Sequence, residues 1–510
     1  MNQCASEGPK PTHSQTQIWV GQRIHPESPL YNMAFSFIFP KVLRPELFSE
    51  AWRRVVDRSD VLRTRFEEHE GAAVLKIDAG SCPTEVLELK ESNDPEKEFR
   101  SWCRQRCTRP FPIGGVLVDS VLCPLGDGRT GWYLNQHHLI TDAWSTLLLF
   151  RQMGAEYETL LGGDHSEVST LAAYYPTVAA LEARSAATKT ALDHWTSRQS
   201  RPGRSIPFYG RSVDPTSTAS TRLTLELDEN RSRALDRLCQ QDGFLSLSED
   251  LSRFALFATL LGSWLHRVSG STDLGFDAPV AGRPTADAKR ALGLFIEMFP
   301  FAATVDPDDT FRSLGARCLE EAKHFLRHAL PGMSTPSSAA ASNIVLNFFP
   351  AAFGEFAGVP VEAEWVHPGH GDSVHALRLQ VHDFSGSGRY VLHFDFNEQS
   401  LPERLRNRSL EHFERILDAC LDDPDRPIAS IDLLVDDERQ ALNSLNATDS
   451  APLPDRSVFE MFRAQADLEP DRVALREGRT EISFASLREQ SEDLAATLVE
   501  QGFEPGDRVA

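Results

Sequence analysis

The sequence predicts a mixed α/β protein made of several compact units, and three observations carry that reading. Its 510 residues exceed one ordinary core, since domains average roughly 150 residues and the length suggests about three units. Helical and strand periodicities interleave through both halves of the chain instead of separating into blocks. Hydrophobic residues make up 41% and charged residues 25%, which is the balance of a globular chain and not of a disordered or low-complexity one.

Leu47–Asp57 reads as a helix, with Leu47, Phe48, Ala51, Trp52, Val55 and Val56 on one face and Pro45 at its entry. Val61–Phe66 and Ala73–Ile77 alternate around Glu70-Gly71, the pattern of a hairpin. Trp132–Gln136 is a short strand running into His137–Thr141, followed by a largely buried helix from about Asp142 to Leu161. A looser stretch at 197–219, rich in Ser, Pro, Gly and Arg, marks a hinge or crossover between two halves. Thr221–Leu227 begins a new strand. Ser246-x-x-Glu249 has the form of a capping box opening a long apolar helix to about Val268. Strands recur near 341–349 and 389–396. Segment 436–457 reads as a linker. Beyond it, 458–510 starts a new globular unit with helical periodicity in Val458–Ala466 and Phe484–Val499. About 50 residues rarely sustain a core alone, so this unit is expected to be truncated.

The net charge of −22 argues against wrapping nucleic acid or anionic membrane. The apolar stretch Phe254–Leu265 is too short for a membrane span. No secretory signal pattern opens the chain, so a cytoplasmic location is expected. The eight cysteines are scattered, and only Cys103 and Cys107 are close in sequence. Reduced thiols follow from that pattern.

The segment most suited to chemistry is Asn135-Gln136-His137-His138-Leu139-Ile140-Thr141-Asp142-Ala143-Trp144-Ser145. Two histidines sit between a strand and a helix start, where free N–H groups and a positive dipole gather. One imidazole can face a cleft while its neighbour points inward. Asp142 can cap the helix or pair with an arginine. Adjacent histidines also serve packing and hydrogen bonding. A metal site needs a third ligand that no spacing supplies, so none is expected. No G-x-S-x-G elbow is present for a serine hydrolase.

His137 to Ser145 resembles the HHxxxDGxS signature of the condensation domains of nonribosomal peptide synthetases, with Ala143 where glycine is usual. Further segments resemble family motifs in the right order: Ser14-x-x-Gln17-x-Trp19 with Tyr31-Asn32, and Arg58–Phe66, where Ser59-Asp60 replaces His-Glu. Gly282-Arg283-Pro284 and Gly293-Leu294-Phe295-Ile296 continue the series, with Glu297 where asparagine is usual. Tyr174-Tyr175 and His328–Pro331 match loosely. The resemblance covers about residues 11–435. In the tail, 437–448 resembles the linker into an adenylation domain, and Glu481–Leu487 resembles that domain's first motif.

The resemblance implies two chloramphenicol-acetyltransferase-like lobes forming a V-shaped pseudo-dimer with a tunnel between them. The expected boundaries are 11–196 for the N-terminal lobe and 197–435 for the C-terminal lobe with the crossover. The linker 436–457 and the truncated N-terminal part of an adenylation domain at 458–510 follow. The implied reaction joins a donor acyl thioester to an acceptor aminoacyl thioester as an amide. His138 is the expected catalytic residue, as general base or as a group orienting the amine. His137, Asp142, Ala143 and Ser145 are expected in support. Arg63 is expected to pair with Asp142, although the alternation of Arg63 and Arg65 allows either. Trp144 and Phe295 are expected to line the tunnel.

No cofactor is expected to bind directly, because the substrates ride on phosphopantetheine arms or, for the donor, on coenzyme A. The expected partners are donor and acceptor carrier proteins and the adjoining adenylation domain, with no nucleic acid and no membrane. Because only about a dozen residues precede the first motif, a donor supplied in trans is expected, with a starter role favoured over elongation. A non-catalytic recruitment domain of the same fold is the contrasting reading.

Overall fold

The computed structural model describes residues 9–78, 82–89, 93–163, 170–199, 206–211, 216–334, 342–448, 455–478 and 480–508. The chain divides into two compact units, Met1–Leu433 and Leu434–Ala510.

Among the described residues the first unit holds two large sheets and two two-stranded ones. One has five strands, in the order Glu362–Val366, Asn32–Phe39, Thr130–His137, Val118–Pro124 and Glu85–Val86. Asn32–Phe39 is buried along its whole length because it is a central strand covered on both faces. Phe35, Phe37 and Phe39 enter one apolar cluster, while Ala34 and Ile38 enter another. That is the two-residue period of a strand. Helices Pro45–Arg58 and Ala143–Leu160 pack together on the first of these faces.

The second sheet has six strands, in the order Ser220–Glu226, Val391–Asn397, Leu377–His382, Ile344–Phe349, Asp273–Val280 and Glu297–Thr304. Helices Glu249–Ser269, Phe311–His328 and Glu403–Asp422 cover one face and build the larger core. The two sheets account for the mixed α/β reading. Glu362–Val366 crosses from the second half of the chain into the first sheet, pairing antiparallel with Asn32–Phe39 so that Ala34 faces Val366. A cut at 196/197 therefore separates the sheets only in part.

Several element boundaries differ from the sequence reading. Val61–Arg63 is a 3-10 turn capped by Asp60, and the hairpin proper is Thr64–His69 with Ala72–Ile77. Its turn has positive φ at Glu70 (51°) and Gly71 (81°), the two-residue geometry that matches strand twist. The long helix is capped by Ser248, whose side chain accepts from Leu251 N, and not by Ser246. Ser246 Oγ is committed earlier in the chain, accepting from Ser248 N. Segment 436–457 is not wholly irregular, since it opens with helix Asp436–Asn446.

In the second unit, helices Val458–Leu468 and Phe484–Glu500 flank the strand pair Val473–Glu477 and Thr480–Ser483. Ala466 is the one buried side chain there among the described residues. Cys82, Cys103, Cys107, Cys123, Cys239, Cys318 and Cys420 are buried free thiols, and Cys4 lies outside the described residues. No helix among the described residues is long and apolar enough to cross a membrane.

Candidate active site

The strand Thr130–His137 ends at His137, and helix Ala143–Leu160 begins six residues later. The loop between them brings the two histidines together with opposite environments. His137 is 1% exposed. Its Nδ1 accepts from Leu139 N at 3.1 Å, so the proton sits on Nε2, which donates to Gln22 Oε1 at 3.1 Å. Tyr31 and Phe111 pack edge-on against its ring. Burial pushes the His137 imidazole down to about 3, with the neighbouring His138 adding to the effect. His137 is thus a neutral structural imidazole with both nitrogens satisfied.

His138 is half-buried. Its backbone N donates to Tyr31 O at 2.9 Å, which pins the loop to the start of the neighbouring strand. Its Nδ1 is buried without a hydrogen-bond partner among the described residues. Burial lowers its pKa; the Asp142 carboxylate opposes that shift and the Arg378 charge reinforces it. One imidazole nitrogen next to a neutral neighbour therefore makes no hydrogen bond among the described residues, although the Thr141 backbone lies near enough to favour its charged form.

Asp142 ends the loop and caps the helix, accepting from Ser145 N at 2.7 Å. The expected pair with Arg63 does not form. Arg63 sits in the 3-10 turn, with Nε donating to Ser59 O and Nη1 to Asp78 O. Arg65 pairs with Asp78 instead. The partner of Asp142 is Arg283, whose Nη2 lies 3.0 and 3.1 Å from its two oxygens. Both side chains are almost fully buried. Arg283 also donates to the carbonyls of Ala288, Ala291 and Gly293 and to Ser145 Oγ. Asp142 additionally accepts from Phe295 N at 2.9 Å.

These bonds clamp the segment 282–296 of the second half of the chain onto the histidine loop. Ser145 Oγ completes the clamp, donating to Gly293 O at 2.6 Å and accepting from Gly293 N at 2.9 Å. Glycine is required at 293 because φ is 142° and an added methyl would overlap the Tyr174 ring. Phe295, expected in the tunnel wall, is 2% exposed. Its ring lies under the Arg283 guanidinium at 4.1 Å and edge-on to Tyr174. It therefore holds the clamp and does not line an open channel. Trp144 does border open space. It lines an apolar cavity of about 460 Å³ with Leu251, Phe254, Phe325 and Phe348, and its Nε1 donates to Lys289 O.

Ala143 begins the helix and is packed in an apolar cluster of the first unit. Its φ is not positive, so the backbone accepts alanine where the family motif has glycine. Glu297, which stands in place of an asparagine, is 5% exposed. Its carboxylate accepts from Ser334 N at 2.9 Å and from Gly332 N at 2.5 Å. Arg283 is the important residue that the sequence reading left without a role. The Gly282-Arg283-Pro284 motif and Gly293 were its only signals.

A histidine loop at the end of one sheet is thus clamped by a segment that joins two strands of the other. The chain belongs to the condensation-domain family, an acyltransferase family that forms amide bonds: the family model for the Condensation domain matches residues 10–443. The chain is 26% identical over 526 residues to a linear gramicidin synthase of Brevibacillus parabrevis, covering 97% of this chain and 10% of that protein. It is 23% identical over 521 residues to a dimodular nonribosomal peptide synthase of Bacillus subtilis (strain 168), covering 98% of this chain and 21% of that protein. The chain thus spans between a tenth and about a fifth of the length of these relatives.

Two solved structures share the fold. The starter condensation domain of rhizomide synthetase in complex with C8-CoA superposes with a TM-score of 0.73 at 22% identity, over 83% of this chain and 97% of that one. The first condensation domain of the calcium-dependent antibiotic synthetase, in complex with a substrate analogue, superposes with a TM-score of 0.74 at 21% identity, over 84% and 100%.

Proposed function

We propose that this chain joins a donor acyl thioester to the amine of an acceptor aminoacyl thioester, with His138 at the reacting centre. The single observation that carries this is the contrast between the two histidines. His137 has both nitrogens bound within the protein, whereas His138 keeps a buried nitrogen without a partner. Family membership supports the reaction class.

The acceptor amine attacks the donor carbonyl, forming the C–N bond, and collapse of the tetrahedral state breaks the C–S bond. The proton lost by the amine ends on the departing thiolate. An imidazole whose pKa is lowered is a weak base at equilibrium. We therefore assign His138 two tasks: hydrogen bonding to the attacking amine, and passing its proton to the leaving sulfur. The Asp142–Arg283 clamp fixes the loop so that this imidazole is preorganised. The substrates arrive on phosphopantetheine arms of carrier proteins, or on coenzyme A for the donor. We assign the second unit to the start of an adenylation domain, on the resemblance of Glu481–Leu487 to that domain's first motif.

The test is intact-mass measurement of an aminoacyl carrier incubated with this chain and a panel of acyl-coenzyme A and acyl-carrier donors. The acceptor should gain one acyl mass, and His138→Ala should abolish the gain. Acceptance of coenzyme A donors marks a starter role, and acceptance of peptidyl or aminoacyl carriers alone marks elongation. Turnover that survives His138→Ala removes the assignment.

A further inference from the structure

Three charged residues form one transverse row across the six-stranded sheet. Asp395 on Val391–Asn397 stands opposite Arg222 on one neighbouring strand and Arg378 on the other. Cross-strand neighbours of opposite charge normally pair. Here the row holds two cations and one carboxylate, and Arg222 takes that carboxylate with both arms. Its Nε lies 2.6 Å from Oδ1 and its Nη2 lies 2.8 Å from Oδ2. Gln380 Nε2 donates to the same carboxylate.

Arg378 is left half-buried, with no hydrogen bond or ion pair among the described residues. Leu377 and Leu379, its neighbours in sequence, point into the apolar core. The guanidinium therefore emerges on the opposite face. The loop leading into this strand packs beside the histidine loop: His370 Nδ1 lies 3.3 Å from Ser28 Oγ, three residues before Tyr31, whose carbonyl accepts from His138 N. The Arg378 charge accordingly acts on His138, Tyr31 and His375.

No carboxylate pairs directly with it among the described residues, although Asp372 acts on the same neighbours, Tyr31 and His375. His375 and His367 are each pushed down to about 4 by burial and are neutral. Asp372, the other carboxylate of the cluster, is tied to its own turn by Val374 N. The Nδ1 of His375 is buried and unpartnered. A partly buried cation without an acceptor is costly, and the arginine fork matches a carboxylate in two-point geometry.

We propose that Arg378, beside His138 and His375, docks a carboxylate carried by one of the two acyl substrates: an acidic side chain on the acceptor, or the free end of a dicarboxylic acyl group on the donor. This rests on His138 being the reacting centre. The phosphate of a carrier arm is a poor candidate for the same position, because the pantetheine chain separates it from the thioester.

The test uses the full chain and isosteric substrate pairs. In the acceptor arm, glutamyl and glutaminyl thioesters compete for one neutral donor. In the donor arm, glutaryl and glutaramyl thioesters compete for one neutral acceptor. The readout is the acid-to-amide ratio of kcat/KM. We expect the ratio to exceed tenfold in one arm, which identifies the source, and to fall at least tenfold in Arg378→Gln. Arg378→Lys, which keeps the charge without the fork, should retain part of the ratio and serves if the Gln variant misfolds.

A ratio near one in both arms overturns the proposal. So does an equal loss of acid and amide turnover, which would mark Arg378 as acting on the transition state. Calorimetry with unreactive amide analogues of the same substrates reads binding without turnover. An acid preference in binding that Arg378→Gln removes, with no condensation in any arm, would sustain the subsite and overturn the proposed reaction. No preference in binding overturns the subsite.

Discussion

Replacing Asp142 with alanine removes the helix cap to Ser145 N, the bond from Phe295 N and the pair with Arg283 in one step. Losing a cap costs about 1 kcal/mol. Stranding a buried guanidinium costs about 3–5 kcal/mol. Together these predict a loss of about 4–6 kcal/mol, a large part of the stability of an ordinary domain. Arg283→Ala should cost a similar amount, because it leaves the carboxylate and the carbonyls of Ala288, Ala291 and Gly293 without their donor. Once either partner is gone, removing the other should cost less. The double variant should therefore fall short of the sum by about 2–3 kcal/mol. Arg63→Ala should cost no more than about 1 kcal/mol, since it gives up only two backbone contacts. Urea denaturation followed by tryptophan fluorescence, run on all four variants, provides the comparison. Additive single losses, or an Arg63 variant as damaged as the Arg283 variant, would refute the clamp.

Stability should also fall in mild acid. His137, His382 and His393 are buried, with pKa values pushed down to about 3, 3 and 2 by burial. Unfolded imidazoles take up protons near 6.5 while the folded ones do not, so the unfolded state binds more protons below that value. Each histidine then contributes about 1.4 kcal/mol of lost stability between pH 7.5 and 5.5, about 4 kcal/mol for the three; equal urea unfolding free energies at the two pH values would contradict this. His138→Ala should lower condensation at least about a hundredfold while its urea midpoint stays near wild type, and a large stability loss would instead make the residue structural. Gly293→Ala should cost about 2–3 kcal/mol through the clash with Tyr174 and slow condensation by loosening the clamp, as read by thermal melting and turnover together.

Local order was legible in the residues themselves. The helix over 45–58 follows from its apolar face, and the hairpin turn follows from Glu70-Gly71. The strand, histidine loop and capped helix follow from the run between Thr130 and Leu160, where a short apolar strand gives way to a largely buried helix with Asp142 at its start. The dual option for Asp142 was legible too, and the structure takes both options at once, a cap and an ion pair.

The choice of arginine was not. Arg63 and Arg283 are equally good partners on paper, and 141 residues separate Asp142 from the one that binds it. Local pattern reports which face a side chain takes, not which distant segment arrives there. For the same reason, sequence periodicity could find the strand at 391–397 but not its register. It is the register that sets Asp395 between two arginines and leaves Arg378 without a directly paired carboxylate among the described residues. The crossing of Glu362–Val366 into the first sheet is likewise a matter of long-range pairing. Sequence alone determined the elements, the histidine pair and the family. Tertiary structure decided which charges meet, because a buried charge is settled by whatever partner the packing brings within reach.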